Sequence, residues 1–345
     1  MSDFAQSGLI CTLQRLNDSH LGNVEAELTE LARGQGIALV LPCHGADLER
    51  PALAHIVGEL SGAAFLREVV VSMNGVDAGG LERARETFRP LPQTVTFLHN
   101  EAASGKGGNV RAAFRHLAQG SASIVATQDC DVASFRRGDL ARLCYAVAHP
   151  QLRYRFAKMY YSRVTDRLYG RVSRLFLAPL LHALVRVSGH RPLLDFLASF
   201  RYPLAGEVAM TMDIAAALPV SDGWGLEIGQ LCEVFRRVDP REVCQVGGGA
   251  GYDHKHQPAA TALAAMAGEI AGELLRQCAL EGIPADSAFR SALATAYRRE
   301  AAHALRRSAH LALMNGLPFD EVAEAAIVEA FAARLGVLEC GGRAQ

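Results

Sequence analysis

Ile37 to Leu41 (IALVL) is an unbroken apolar run ending at Pro42, the pattern of a strand buried on both faces of a parallel sheet. Asp47 to Leu60 then carries apolar residues at helical spacing, and Leu66 to Met73 (LREVVVSM) returns to a strand closed by Asn74-Gly75. The alternation continues with a helix over Leu81 to Phe88, a strand over Thr94 to Leu98, a glycine-rich turn at Ser104 to Gly108, a helix over Asn109 to Leu117 and a strand over Ser123 to Thr127. Strand and helix in turn predict an α/β fold, a mostly parallel sheet with helices on both faces that binds ligands at the carboxyl ends of its strands. Pro42, Asn74, Lys106 and Asp129 all fall at or soon after those ends.

Beyond Arg155 to Met159 the pattern changes. A long apolar and basic helical stretch, Tyr169 to Val187, precedes RYPLAGEVAM and the loop SDGWGLEIGQL. From Ala259 the chain is Ala-rich, with helical periodicity over Thr261 to Leu280, Ser287 to Leu313 and Phe319 to Leu335, and a Gly-Gly-Arg-Ala-Gln end that reads as a frayed tail. The expected organisation is a helical lead-in over 1–36, a sheet half over 37–150, a second half over 151–258 and a helical C-terminal extension over 259–345.

Composition narrows the function classes. With 50% apolar and 21% charged residues in 345, disorder is excluded as the main state. A net charge of −1 gives no global field for nucleic acid or an acidic membrane, so any phosphate binding is local. The 8 cysteines are scattered and form no CxxC pair, which argues against a zinc ribbon or disulfide framework and for reduced thiols in a cytoplasmic protein. The N-terminus lacks the pattern of a signal peptide. The greasiest segment, Leu175 to Val187, contains His182 and Arg186 and is shorter than the ~20 residues that cross a bilayer.

The sharpest chemistry is Gln128-Asp129-Cys130-Asp131, directly after SIVAT. In an extended strand end both carboxylates address one Mg²⁺ or Mn²⁺ whose remaining ligands are diphosphate oxygens and water; the alternative is a solvated loop. His254 and His256, in YDHKHQ, offer imidazoles to the same ion or lie on the surface. Lys106 stands inside a glycine turn leading into a helix, a place that favours an anion, although the spacing is not that of a Walker A loop. Arg153, Arg155, Lys158, Arg163, Arg167, Arg171 and Arg174 form a basic interval, a solvated helical face for most of the seven, with Arg171 the candidate for an acceptor anion. Glu207 and Glu227 sit among glycine and apolar residues; each either orients a sugar hydroxyl, acts as a base, or is a buried carboxylate that caps a helix or pairs with an arginine. Trp224 either stacks on a ligand or packs.

Taken in order, LVLPCHG, VSMNG, GKGGN, QDCD, YGRVS, PLAGE, GWGLEIG and YDHKHQ resemble the retaining GT-A glycosyltransferases of the glucosyl-3-phosphoglycerate synthase family, over about Ile37 to Gln257. The resemblance implies a GT-A, Rossmann-like sheet and transfer of a sugar, glucose from UDP-glucose, to the 2-hydroxyl of 3-phosphoglycerate with retention, Mg²⁺ being the expected ion and Mn²⁺ an alternative. Residues 37–150 would hold the nucleotide sugar and 151–258 the acceptor. By motif, Pro42, Cys43, His44 and Gly45 would border uracil and ribose, Ser72 and Asn74 the base, and Lys106 the nucleotide. Asp129 would hold ribose or metal-bound water, with Asp131 and His254 as metal ligands. Gly170, Arg171, Val172, Ser173 and His256 would hold the acceptor, Glu227 the donor sugar, and the Leu204 carbonyl would lie near the reacting hydroxyl. A homodimer follows by the same analogy.

The chain departs from the family's actinobacterial pattern in two places. Pro42-Cys43-His44-Gly45 stands where a Pro-Ala-Leu-Asn-Glu type loop is usual, and His256-Gln257 replaces an Asn-Arg pair. Lys255, His256 or Arg174 would then have to supply the missing positive charge, or the acceptor would be glycerate or a related hydroxy acid and the donor GDP-mannose. Two other classes compete: a sugar-phosphate nucleotidyltransferase, against which the absence of GxGTRL counts, and a non-catalytic nucleotide-sugar sensor.

Overall fold

A computed structural model describes residue 6 and residues 8–100, 105–249, 251 and 260–336 of the chain. Two compact units emerge. One comprises residues up to Ser162 with Ala205–Gly223 and the stretch from Glu233; the other comprises Arg163–Leu204, Trp224–Cys232 and the C-terminal helices.

The first unit holds one eight-stranded sheet. Its strands are β1 (Cys11–Leu13), β2 (Ile37–His44), β3 (Leu66–Asn74), β4 (Thr94–His99), β5 (Ile124–Thr127), β6 (Phe156–Tyr160), β7 (Val208–Thr211) and β8 (Val243–Gly247), in the order β1-β8-β6-β7-β5-β2-β3-β4. All pairings are parallel except those of β7, which runs antiparallel to β5 and β6. Every residue of β2 but His44 is buried, as a continuous apolar run requires. The helices of this unit are α1 (Leu21–Gln35), α2 (Pro51–Leu60), α3 (Ala78–Phe88), α4 (Gly105–Leu117) and α5 (Arg137–Ala148); α4 packs on β2 and β3, and α5 on β5 to β8.

The mostly parallel α/β sheet is thus present, with three local differences from the sequence pattern. Pro42 lies inside β2, because pairing with β5 ends at Val40↔Thr127 while pairing with β3 runs on to His44↔Asn74. Lacking an N–H, proline is tolerated where one side of a strand is unpaired. The helix expected from Asp47 is split into a 3₁₀ turn, Gly45–Asp47, and α2, which starts at Pro51, a residue whose fixed φ suits a first helical position. The glycine turn before Asn109 is already helical, so Lys106 stands in the first turn of α4.

The second unit is helical. After a π-turn at Val172–Leu177 come α6 (Ala178–Ser188) and α7 (Pro192–Ala198); α8 (Met212–Ala217) belongs to the sheet unit, and α9 (Leu226–Arg237) contributes its first residues here. The unit is completed by α10 (Ala260–Leu280), α11 (Ser287–Met314) and α12 (Glu321–Gly336). Pro179 explains the π-turn: it cannot donate to the carbonyl of Leu175, four residues back, and its ring crowds that carbonyl. The Tyr297 hydroxyl donates to the orphaned Leu175 oxygen instead, at 2.7 Å. Burial pushes the Tyr297 phenol up, so it keeps the proton it donates. Its ring packs on Phe176, which also meets Phe331, at centroid distances of 5.8 and 5.1 Å.

Candidate active site

The carboxyl ends of β2 and β3 approach so closely that side chains are excluded at two places. A Cβ on Gly45 would lie 2.3 Å from the Gly75 oxygen, and Gly75 itself has φ +65°, a left-handed value that favours glycine. His44 caps the 3₁₀ turn: its Nδ1 accepts the Ala46 N–H at 3.1 Å, while the Asp47 carboxylate accepts the His44 N–H at 3.0 Å. Pro42 and Cys43 are buried, His44 is exposed and Gly45 half-buried. The Cys43 thiol donates to the His44 oxygen at 3.5 Å, and its closeness together with burial pushes the Cys130 thiol well above the ordinary thiol range. Any part Cys43 plays for a ligand therefore falls to its backbone.

Behind these loops lies a buried amide network. Ser72 Oγ donates to the Asn109 oxygen at 2.7 Å and accepts from Asn100 Nδ2 at 2.9 Å. Asn109 Nδ2 donates to Asn74 Oδ1 at 3.1 Å and to the Cys43 oxygen at 3.3 Å. Ser72 is fully buried and its hydroxyl is engaged within this network, which ties the end of β3 to Asn100 and α4. Sequence reasoning assigned Asn100 and Asn109 no role, although Asn109 closes the GKGGN motif; what it ties together, β2, β3 and α4, is adjacent only in space.

At the end of β5, Lys106 Nζ and Asp129 Oδ1 form an ion pair at 2.7 Å, both partly exposed. Thr127 Oγ1 donates to the Gly206 oxygen at 2.6 Å, which brings the PLAGE segment alongside. A Cβ on Gly206 would lie 2.7 Å from both Asp129 carboxylate oxygens and from Lys106 Nζ. All three atoms are ends of flexible side chains, so Gly206→Ala is expected to leave folding intact while displacing the Lys106–Asp129 pair. The expected reading is a donor KM raised roughly fivefold, about 1 kcal/mol, with an unchanged melting midpoint; an unchanged donor KM would separate the pair from donor binding. Gly107 approaches backbone instead, where a Cβ would meet the Ser221 oxygen at 2.2 Å.

Asp131 is half-buried on the turn after Asp129. His254 and His256, with Lys255, lie outside the described residues, and among the described residues no three His, Cys, Asp or Glu side chains gather into a metal site. The donor set nevertheless suits Mg²⁺ or Mn²⁺. Hard cations that work on nucleotides take one or two carboxylates and complete their shell with phosphate oxygens and water.

The acceptor candidates lie in the helical unit. Tyr169 N–H donates to the Arg163 oxygen at 2.9 Å, and Asp166, whose carboxyl is held well below its usual range by hydrogen bonds from Tyr169, Arg167 and Thr165, ties the loop. Gly170 then takes φ +69°, and Arg171, Val172 and Ser173 enter the π-turn. The Ser173 hydroxyl is buried without a partner among the described residues. Arg171 Nε meets Glu324 Oε1 at 2.9 Å. Arg174 is held by protein through Nε to the Tyr169 oxygen at 3.1 Å, Nη2 to the Leu168 oxygen at 3.3 Å and to Glu324, with its guanidinium over the Phe319 ring, while its Nη1 is buried without a partner among the described residues. Burial pushes Arg174 down, against the pull of Glu324. Glu227 is buried in the first turn of α9, Leu204 is half-buried on the turn before Ala205, and Trp224 is 45% exposed.

One further reading is corrected and another narrowed. Lys158, expected on a solvated face, is completely buried on β6, where its Nζ donates to the Ala205 oxygen at 2.6 Å. Glu207 is equally buried and accepts from Gln128 Nε2 at 3.2 Å and the Tyr161 hydroxyl at 2.9 Å. It fastens the PLAGE segment to the sheet, as the buried-carboxylate alternative has it, with a tyrosine and an amide in place of an arginine. The seven described cysteines are free thiols, and no described helix is long and apolar enough to cross a membrane.

No protein-family model matches the chain. It is 34% identical to the glucosyl-3-phosphoglycerate synthase of Persephonella marina, over 96% of this chain and 88% of that one, so the likeness extends past Ile37–Gln257 into the ends. Among solved structures it is similar to the Mycobacterium tuberculosis glucosyl-3-phosphoglycerate synthase in complex with phosphoglyceric acid, with a TM-score of 0.61, 25% identity and coverage of 81% of this chain and 90% of that one. It is similar to the same degree, TM-score 0.61 and 25% identity over 81% and 89%, to that enzyme in complex with Mg²⁺ and UDP. Strand-end carboxylates, glycine-flanked lysine and arginine loop thus sit in a chain that belongs to the glucosyl-3-phosphoglycerate synthase family of glycosyltransferases.

Proposed function

We propose that the protein transfers glucose from UDP-glucose to the 2-hydroxyl of 3-phosphoglycerate, with retention at the anomeric carbon. What carries the reading is the Lys106–Asp129–Gly206 cluster at the carboxyl end of β5, within a chain whose likeness to a curated synthase runs over nearly its whole length. Residues 37–150 form the donor half in this reading and 151–258 the acceptor half, with 259–345 as a helical flank; the lead-in expected to be helical over 1–36 instead supplies the strand β1 as well as α1. Asn74 and the backbone of Pro42 to Gly45 border the base, and Asp129 the ribose. Asp131 and His254 hold Mg²⁺ or Mn²⁺, which when bound supplies positive charge against the diphosphate as the sugar departs.

The chain's own residues do the rest by position and charge. Lys106 brings a second cation to the nucleotide, Glu227 accepts a hydrogen bond from a donor sugar hydroxyl, and Arg171 with Ser173 and His256 grips the acceptor. The Leu204 carbonyl orients the acceptor hydroxyl. The acceptor oxygen bonds to the anomeric carbon on the face the diphosphate leaves, the bond from that carbon to the diphosphate oxygen breaks, and the hydroxyl proton passes to the departing phosphate. No protein nucleophile is required, and preorganised charge supplies most of the acceleration. Lys255, His256 and Arg174, whose Nη1 is buried without a partner among the described residues, are the candidates for the acceptor's second anionic group.

A donor-by-acceptor matrix of UDP-glucose and GDP-mannose against 3-phosphoglycerate and glycerate tests this. Nucleoside diphosphate release is expected only with acceptor present, and fastest with UDP-glucose and 3-phosphoglycerate. Release of pyrophosphate would mark a nucleotidyltransferase, and no release with any pair a sensor. A cytoplasmic setting fits a nucleotide-sugar donor. A homodimer fits the exposed Leu311, Leu313, Met314 and Val322 on α11 and α12, and light scattering measures it directly.

A further inference from the structure

We infer that Glu324, in the first turn of α12, is a positioning residue for the acceptor, acting through Arg171. This rests on the reading of Arg171 as the acceptor's anion ligand. The carboxylate is 6% exposed and bridges two guanidinium groups that enter from one helical turn, Oε1 to Arg171 and Oε2 to Arg174. Its place is fixed from behind by the start of α12, where Asp320 accepts the Ala323 N–H on its side chain at 2.9 Å and the Glu324 N–H on its backbone oxygen at 3.0 Å.

The two arginines are used differently. Arg174 spends Nε on the Tyr169 carbonyl and Nη2 on the Leu168 carbonyl and Glu324, lies over the Phe319 ring with its Nη1 buried and unpartnered among the described residues, and serves as a strut between the loop and α12. Arg171 gives Glu324 only its Nε–H, and among the described residues its two terminal amino groups have no partner, while its side chain remains 22% exposed. A guanidinium clamped at Nε keeps a planar two-nitrogen edge, the shape that matches a carboxylate or phosphate oxygen pair. The charge count agrees: two arginines and one carboxylate leave a single positive charge for one oxyanion. Fixing the fork in advance also removes the entropy cost of ordering a long side chain when the acceptor arrives.

The test uses the full-length protein, measuring UDP release with acceptor varied at saturating donor and donor varied at saturating acceptor, for Arg171→Ala, Glu324→Gln and the double variant. Glu324→Gln is expected to raise the acceptor KM roughly tenfold, about 1.4 kcal/mol, with the donor KM within about twofold of the parent value. In the Arg171→Ala background it should add nothing further, since residues acting through one contact are not additive. An acceptor KM unchanged in Glu324→Gln, equal shifts of both KM values, or full additivity with Arg171→Ala would each overturn the inference while leaving Arg171 as acceptor ligand. An acceptor KM unchanged in Arg171→Ala would instead overturn the reading beneath it. Should Glu324→Gln not fold, Glu324→Asp, which keeps the charge on a shorter stem, is expected to show the same split at roughly two- to threefold, and its absence there overturns the inference equally.

Discussion

Asp131→Ala is expected to lower turnover with UDP-glucose and 3-phosphoglycerate by at least about a thousandfold, roughly 4 kcal/mol. Asp131 follows β5 by a short turn and is half-buried, so its removal leaves no core cavity, and the melting midpoint should stay at the parent value. The neighbouring carboxylate cannot take its place, because Asp129 is held by Lys106 at 2.7 Å beside Gly206. In the proposed site, losing Asp131 removes the carboxylate that would hold a divalent cation against a diphosphate, the partner on which leaving-group stabilisation depends. Asp129→Ala should cost less, since it also frees Lys106 to meet phosphate. Calorimetric titration of UDP with and without Mg²⁺ separates the two variants: Asp131→Ala should lose the metal-dependent part of the affinity and Asp129→Ala keep most of it. Near-parent turnover in Asp131→Ala would remove the metal assignment.

The alternating pattern from Ile37 to Thr127 could be read because parallel strands buried on both faces are short apolar runs, and each is local in sequence. What could not be read are the strands whose meaning depends on neighbours. β1 has three residues and β7 four, too short to show a period, and β7 enters the sheet antiparallel between β5 and β6. Lys158 looked like a member of a solvated basic interval, yet β6 is an interior strand between β7 and β8, which buries it. The GRVS and GxGLEIG motifs pointed to Arg171 and Glu227 by spelling alone. The partner of Arg171, Glu324, lies 153 positions away in an Ala-rich helix with no motif of its own, and no local pattern links them.

Glu207→Ala is expected to destabilise the protein by about 3–5 kcal/mol, a large share of the total stability of a typical domain. Glu207 is completely buried at the residue before β7. Removing the carboxylate orphans the Tyr161 hydroxyl and the Gln128 amide, from which it accepts at 2.9 and 3.2 Å. Lys158→Met, at the completely buried lysine of β6, should also destabilise, because it strips the Ala205 oxygen of its donor. Combining Lys158→Met with Glu207→Leu shows whether the two buried charges compensate each other, a cost below the sum of the single replacements marking compensation. Urea denaturation of the three variants measures this. Single losses below about 1 kcal/mol, or strict additivity in the double variant, would mean that the two charges do not compensate each other. The functional trace should follow, because the segment they fasten carries Gly206 to the Lys106–Asp129 pair, so variants still folded at the assay temperature should show a raised donor KM.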